Sequence, residues 1–183
     1  MRILQCGLIT VLLNALPVLL SGQSYIVSET GTYNIEIDNP TFISVDQDNA
    51  TQIPVGFNFS FFGVSYSECW VGGDGFIAFG DFPDPSCCGQ YVPDISTPNN
   101  LIAVAWTNVD WISAHYELFG SAPNRRLVIT YDLRNPCDSV YYGQVKLFES
   151  TNVIEIQDCK DITTDLYPPN ILQINNKIYF KNI

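Results

Sequence analysis

The chain has 183 residues, a formal net charge of −11 and a pI near 4.1. Its length suits a single domain with one large hydrophobic core. The acidic side chains are spread along the chain, and such a balance repels phosphate backbones and anionic lipid surfaces. We therefore expect neither a nucleic acid nor a membrane surface as its partner.

The N-terminal residues predict export. Arg2 precedes an apolar run that ends in small and polar residues at Gln23, and this pattern is typical of a secretory signal peptide. The apolar core is short and is interrupted by Asn14 and Pro17, so it makes a poor membrane span. We expect residues 1–23 to be removed, which leaves no membrane span. Arg2 is the only charged residue in that segment, so cleavage takes the formal charge from −11 to −12.

The first clear strand signal is VGFNFSF, residues 55–61, where large apolar side chains alternate with small or polar ones. A period of two predicts a strand with one face buried. The glycines of GGDG, residues 72–75, predict a tight turn between two further strands. LIAVAW, residues 101–106, is apolar at every position, which predicts a central strand covered on both faces.

The second half of the chain continues this pattern. Four strand-like segments follow one another: AHYELFG at 114–120, RLVITYDL at 126–133, SVYYGQVKLFE at 139–149 and NVIEIQ at 152–157. Turn residues between them predict hairpins, and we expect the last three to form a meander. The tail offers one more hairpin around Asn175 and Asn176.

These segments predict an all-β fold, an antiparallel β-sandwich of jelly-roll-like type with about ten to twelve short strands. We place the sandwich at residues 24–160, and residues 161–183 form a C-terminal strand or tail.

Five of the six cysteines follow the predicted cleavage site, namely Cys69, Cys87, Cys88, Cys137 and Cys159. Disulfides are the default in an exported protein, and no cysteine or histidine spacing typical of zinc occurs. If the last three strands form a meander, Cys137 and Cys159 lie at one end of a sheet, and we predict a bridge between them. Cys69 is then expected to pair with Cys87 or Cys88. The odd count means that one thiol is free, pairs with another molecule, or belongs to a partner lost from the chain.

The motifs, taken together, resemble a known domain. The series IPVGFNFSFFGVSYSECWVGGDGFIAFG, CCGQ, TPNNLIAVAWTNVD, APNRRLVITYDL and KLFESTNVIEIQ is similar to a domain recurrent in large secreted and cell-surface proteins of Bacteroidota. It is distantly similar to the nidogen-type extracellular domain, and the resemblance covers about Ile53 to Gln157. It implies a module used in adhesion or surface assembly, with an extracellular protein or a glycan as partner and no catalytic residues. Such domains commonly accompany a C-terminal sorting domain, and we see none in this sequence. We therefore expect either a stand-alone domain or a truncated copy of a larger protein.

Catalytic residues are weakly signalled. The single histidine, His115, lies in a segment that alternates as a strand does. A half-exposed histidine on a strand is the ordinary interpretation, and a catalytic role is not favoured. A glycosidase would need two carboxylates across a cleft, and nothing selects one pair among Asp110, Glu117, Glu149 and Glu155. We therefore predict a module that is not an enzyme, with a glycosidase as a less favoured alternative.

Two kinds of binding residue are candidates. Asp46, Asp48 and Asn49 bring together the oxygen ligands that calcium prefers, although a solvated acidic turn is the favoured interpretation. No cofactor is otherwise expected. Exposed aromatic rings serve as stacking platforms for sugars, and Tyr91, Trp111, Tyr141 and Tyr142 lie in or beside predicted loops, although core packing is the favoured interpretation for most of them. A carbohydrate-binding module is therefore the second functional hypothesis.

Overall fold

The computed structural model describes the chain in seven ranges: 36–46, 49–81, 100–104, 111–134, 140–160, 170–174 and 177–181. The regular structure within these ranges is entirely β-strand. The strands are β1 (Thr41–Ile43), β2 (Ala50–Phe61), β3 (Val64–Gly72), β4 (Phe76–Ala78), β5 (Leu101–Ala103), β6 (Trp111–Phe119), β7 (Arg126–Arg134), β8 (Val140–Phe148), β9 (Ile154–Lys160), β10 (Asn170–Ile174) and β11 (Lys177–Lys181).

The strands form two sheets. The five-stranded sheet has the order β1-β6-β7-β8-β9 and is antiparallel throughout. The six-stranded sheet has the order β10-β11-β5-β4-β3-β2, and its one parallel pair among the described strands is β11 with β5. The predicted β-sandwich is therefore confirmed.

Strand β2 shows why the sequence folds in this way. Val55, Phe57, Phe59 and Phe61 are buried, whereas the residues between them are exposed or partly exposed. The register of β2 against β3 shifts between Pro54 and Phe59. Gly56 lies in this irregular stretch with a φ of +86°, a backbone conformation that favours glycine.

The core lies between the two sheets. Rings from the six-stranded sheet stack there, with the Phe59 and Phe61 centroids 5.7 and 4.6 Å from that of Phe79. The same cluster contains side chains of the five-stranded sheet: Leu127, Ile129, Tyr131, Val145 and Leu147. The buried hydroxyl of Tyr131 donates a hydrogen bond to the carbonyl oxygen of Phe76 at 2.7 Å, so the core contains a polar link between the sheets.

The strand order corrects the jelly-roll prediction. Strands β2 to β5 are neighbours in chain order in one sheet, and β6 to β9 are neighbours in chain order in the other. Each sheet is thus built on a meander, whereas a jelly roll interleaves its strands between sheets through two Greek keys. Hydrophobic alternation specifies which face of a strand is buried but not its neighbours, so the sequence pattern could not distinguish the two arrangements.

Two local predictions are confirmed. The four residues 101–104 are all buried, and β5 contributes to the core on one face and to a second apolar cluster with Phe76 and Ala78 on the other. The tail forms the hairpin β10–β11, in which Ile174 pairs with Lys177, and this hairpin extends the six-stranded sheet.

The predicted bridge from Cys69 to Cys87 or Cys88 stays a prediction, because both partners lie outside the described residues. Cys69 itself lies on the core face of β3, is almost fully buried and forms no disulfide with another described residue. The inward position follows from the alternation of β3, which turns Trp70 outward between Cys69 and Val71. Burial raises the pKa of the Cys69 thiol to about 12.

We expect Cys69 to be unreactive in the folded protein. Thiolate is the reactive form, and a buried thiol with so high a pKa supplies almost none at neutral pH. Peptide mapping after treatment with iodoacetamide should show unmodified Cys69 in native protein and modified Cys69 in urea. A Cys69 peptide joined by a disulfide to the Cys87–Cys88 peptide would contradict a free thiol and confirm the predicted bridge.

Candidate binding surface on the five-stranded sheet

The outer face of the five-stranded sheet carries buried polar side chains. Thr130, Gln144 and Lys146 point away from the core, since their neighbours Ile129, Tyr131 and Val145 point into it, yet all three are at most 2% exposed. An outward polar residue is normally solvated. Here residues 36–39, which we call the strap, lie against this face before the chain enters β1.

The strap is held through its backbone at Glu36. The Glu36 N–H donates to Gln144 Oε1 at 3.0 Å, and Gln144 Nε2 donates to the Glu36 carbonyl oxygen at 2.7 Å. Gln144 Nε2 also donates to Thr130 Oγ1 at 2.9 Å, which fixes the orientation of the amide. The Gln144 side chain thus pairs with both the backbone N–H and the backbone carbonyl of Glu36, as the backbone of a neighbouring strand would.

A carboxylate holds the other end of the strap. The amide N–H groups of Asp38 and Asn39 donate to Glu117 Oε2 and Oε1 at 2.9 and 2.8 Å. Hydrogen bonds to an ionised group are among the stronger ones in proteins. Glu117, on β6, therefore acts as a bidentate acceptor for two consecutive backbone amides.

The strap also brings a charge to the sheet. Glu36 Oε1 lies 2.9 Å from Lys146 Nζ, and Glu36 Oε2 accepts from Arg126 Nε at 2.8 Å and also contacts the Arg126 Nη2. Lys146 Nζ is in addition 3.2 Å from Glu155 Oε1. A buried ammonium requires compensating charge. Glu36 and Glu155 supply it from two sides.

These contacts set the ionisation of Glu36. Burial alone would raise the pKa of this carboxyl, but hydrogen bonds and charges from Arg126 and Lys146 outweigh it and hold the pKa below its ordinary value of 4.5. The ionised form of Glu36 therefore stabilises the folded state at neutral pH.

Acid should remove this contribution. Because the folded pKa of Glu36 is the lower one, its stabilisation is present above pH 4.5 and is lost as the pH falls through the folded pKa. We expect Glu36→Gln to lower the melting temperature at pH 7, and the difference from the wild type to shrink towards zero by strongly acidic pH. Thermal unfolding of both proteins from pH 7 downwards measures this. A difference that does not change with pH would contradict the role assigned to Glu36.

A second polar group lies nearer the other end of the same face. His115 on β6 is opposite Thr130, and Asp132 lies two residues further along β7. The two ring nitrogens of His115 are buried and have no hydrogen-bond partner within the part of the chain that the structure describes. The same is true of Asp132 Oδ1. Burial lowers the pKa of His115 and outweighs the opposing charges of Glu117 and Asp132, so the neutral imidazole is favoured.

An exposed aromatic ring stands beside this group. Phe42 on β1 is paired with His115, its ring centroid is 5.9 Å from that of the imidazole, and it is 76% exposed. An exposed aromatic ring is a feature of many sugar-binding patches, but the His115 nitrogens and Asp132 Oδ1 beside it are buried.

Two of the four aromatic residues predicted to bind sugars lie on strands near His115 and Asp132. Trp111 begins β6 opposite Arg134, and Tyr142 in β8 pairs with Asp132. The structure describes Trp111, Tyr141 and Tyr142 by their backbone only, and Tyr91 lies outside the described residues. Their part in ligand binding therefore stays a prediction. Sequence reasoning missed Phe42, whose position next to a histidine on another strand has no signal in the local pattern.

The family of the chain is shown by comparison with known proteins. The sequence matches the family described as NIDO related over residues 24–166. The chain belongs to this nidogen-related family. The family is a non-catalytic module type, and membership indicates an extracellular structural or assembly module. Comparisons with curated proteins and with solved structures gave no match.

Within the described ranges, no helix has the length and apolar character needed to cross a bilayer.

In this nidogen-related domain the carboxylates considered for a glycosidase have other partners. Glu117 accepts the strap amides, Glu155 contacts Lys146, and Glu149 Oε2 accepts from Arg125 Nε at 2.8 Å. Arg125 also donates from Nη1 to the Gly56 carbonyl oxygen of the other sheet at 2.7 Å, so this pair is part of the contact between the sheets. Asp110 lies outside the described residues.

The predicted calcium ligands are only partly described. Asn49 Oδ1 accepts the Ala50 N–H at 2.8 Å, and the Asn49 N–H donates to the Asp46 carbonyl oxygen at 3.2 Å, so Asn49 serves the local turn. Asp48 lies outside the described residues. In the ranges described, no three acidic, cysteine or histidine side chains form a group that could hold a metal. Calcium binding remains a prediction.

The predicted Cys137–Cys159 bridge also remains a prediction. The meander on which it depends is confirmed, because β7, β8 and β9 are consecutive neighbours. Cys159 lies within β9 opposite Tyr142, at the sheet end where β7 leads into β8. Cys87, Cys88 and Cys137 lie outside the described residues.

Proposed function

We propose that this nidogen-related domain is a secreted, non-catalytic module that acts by binding, in adhesion at a cell surface or in the structural assembly of such a surface. The observation that carries the proposal is the family match over residues 24–166, which begins directly after the predicted signal cleavage site. The resemblance to domains of bacterial surface proteins supports the same setting.

The chemistry of the described residues is in keeping with binding. Glu117, Glu149 and Glu155 are engaged in structural contacts, and the His115 nitrogens are hydrogen-bonded to no serine, cysteine or carboxylate. General acid–base or nucleophilic catalysis needs such groups within hydrogen-bond reach of one another. Glu117, Glu149 and Glu155 instead hold parts of the domain's own chain together.

The experiment is adhesion of beads that carry the mature chain to intact cells of its source. We expect saturable adhesion that free protein competes away. Treatment of the cells with protease should abolish adhesion if the partner is a protein, and treatment with periodate should abolish it if the partner is a glycan. Beads that bind no better than beads carrying denatured protein would contradict the proposal.

Glycan binding is a second candidate because of one observation, the exposed Phe42 ring beside His115 and Asp132. Sugars stack on exposed aromatic rings, and Phe42 offers such a ring on the outer face of the sheet. A glycan array probed with the wild type and with Phe42→Ala, with and without a chelator, tests it. Val153→Ala shortens another exposed apolar side chain, 49% exposed, and serves as the control. Signals lost in Phe42→Ala alone support the patch, and a blank array contradicts it.

A further inference from the structure

The single histidine of the chain lies against a short segment at the edge of the five-stranded sheet. This segment, residues 38–43, comprises the end of the strap and β1, and we call it the flap. β1 pairs with β6 at three positions, one of which joins Phe42 to His115. Of the three β1 side chains only Ile43 is buried in the core. Release of the flap would therefore expose one core side chain.

The arrangement around His115 is unsuited to a proton. The imidazolium form carries two N–H donors, and neither ring nitrogen has an acceptor among the described residues. A buried charge without hydrogen bonds is strongly unfavourable. Burial accordingly lowers the pKa of His115 below 6.5, although the charges of Glu117 and Asp132 act in the opposite direction. The protonated ring is more stable where water can reach it.

Glu117 connects His115 to the flap. It is the next outward residue on β6, and its carboxylate accepts the N–H groups of Asp38 and Asn39 at 2.9 and 2.8 Å. The same carboxylate attracts a positive charge on His115. Protonation therefore makes the imidazolium and the flap amides compete for one acceptor. Asp132 acts on the ring from β7, and β1, with the sequence TFI, brings no ionisable side chain.

We propose that His115 is an acid-sensitive latch for the flap. At neutral pH the neutral imidazole lies against Phe42, and Glu117 holds the flap amides. In acid the protonated ring becomes solvated, Glu117 pairs with it, and the flap separates from β6. Phe42 moves with the flap, so any binding through this ring weakens in acid. The latch itself does not depend on what the domain binds.

The pH range separates this latch from the ion pairs of Glu36. Because the folded pKa of His115 is the lowered one, release begins as the pH falls below 6.5. The pKa of Glu36 lies below 4.5, so Glu36 is still ionised and paired with Lys146 and Arg126 at pH 5. For a histidine protonated only when the flap is released, the released fraction rises by at most about 25-fold between pH 7 and pH 5.

NMR titration tests the first step, since a chain with one histidine gives one imidazole signal. Mature protein without a histidine tag should show a pKa for His115 below 6.5. Phe42→Ala should move this pKa towards 6.5, because water then has easier access to the ring. Val64→Ala, which shortens an exposed apolar side chain on the six-stranded sheet, should leave the pKa unchanged. A wild-type pKa at or above 6.5 would mean that the carboxylates stabilise the imidazolium in place, and would overturn the latch.

Hydrogen exchange, corrected for the chemical effect of pH on the exchange rate, tests the release. Flap peptides should lose protection by at least about threefold between pH 7 and pH 5, while β7 and β8 peptides keep theirs. In His115→Gln the flap should be equally protected at both pH values. His115→Phe replaces this variant if glutamine already releases the flap at pH 7.

Equal flap protection of the wild type at the two pH values would show that the latch is wrong. A pH-dependent release that persists without His115 would do the same. Neither measurement involves a ligand, so either failure leaves the proposed function standing.

Discussion

Replacement of Phe59 by alanine is expected to destabilise the fold by about 3–5 kcal/mol, the usual range for a large aromatic residue removed from a packed core. Phe59 is fully buried, and its ring stacks on that of Phe79 at an interplanar angle of 22°. Removing the ring leaves a cavity between the sheets. The neighbouring rings of Phe61 and Phe79 pack against each other, so we expect them to fill little of this cavity. Urea unfolding followed by circular dichroism measures the loss.

Phe42→Ala is the matched control, because it makes the same chemical change at a residue that is 76% exposed. We expect its effect on stability to stay within about 0.5 kcal/mol. Equal losses for the two variants would show that Phe59 is not in the core and would contradict the sandwich described above.

The second large effect is expected at the charge cluster under the strap. Glu36→Ala leaves Lys146 buried with Glu155 as its remaining carboxylate partner among the contacts described here. Removing one partner of a fully buried ion pair costs about 3–5 kcal/mol, and partial exposure of the carboxylates reduces this, so we expect about 1–3 kcal/mol. Urea unfolding at neutral pH and moderate salt measures the change.

Lys146→Met separates charge from packing in this cluster. Methionine fills much of the same space without a charge, and Glu36 keeps its contact with Arg126. We expect Lys146→Met to destabilise less than Glu36→Ala, and the loss caused by Glu36→Ala to be smaller in the Lys146→Met background. Strictly additive effects of the two substitutions would show that the two charges do not interact.

The strands were predictable where one residue pattern dominates. The alternation from Val55 to Phe61 and the uniformly apolar run from Leu101 specify burial on one or both faces, and the structure follows both. The pairing of β10 with β11 follows from turn residues predicted between them, and this signal is also local. Local signals of this kind require no knowledge of the neighbouring strand.

The candidate site was less predictable, because it depends on contacts between distant parts of the chain. Gln144 and Lys146 alternate with Val145 as solvated residues would, but both contact Glu36 of the strap, 108 and 110 residues earlier, and this contact has no signal in the local pattern. The placement of Cys69 was unpredictable for a related reason, since its pairing was argued from export and cysteine count, whereas its position on the core face of β3 depends on strand geometry.

The most direct test of the central claim, that the chain acts outside the cell by binding and not by catalysis, is equilibrium binding of labelled mature protein to intact cells. We predict saturable binding that unlabelled protein displaces, with the cell-surface material recovered chemically unchanged. Absence of saturable binding, or release of cleaved surface material in proportion to time and protein, would contradict it.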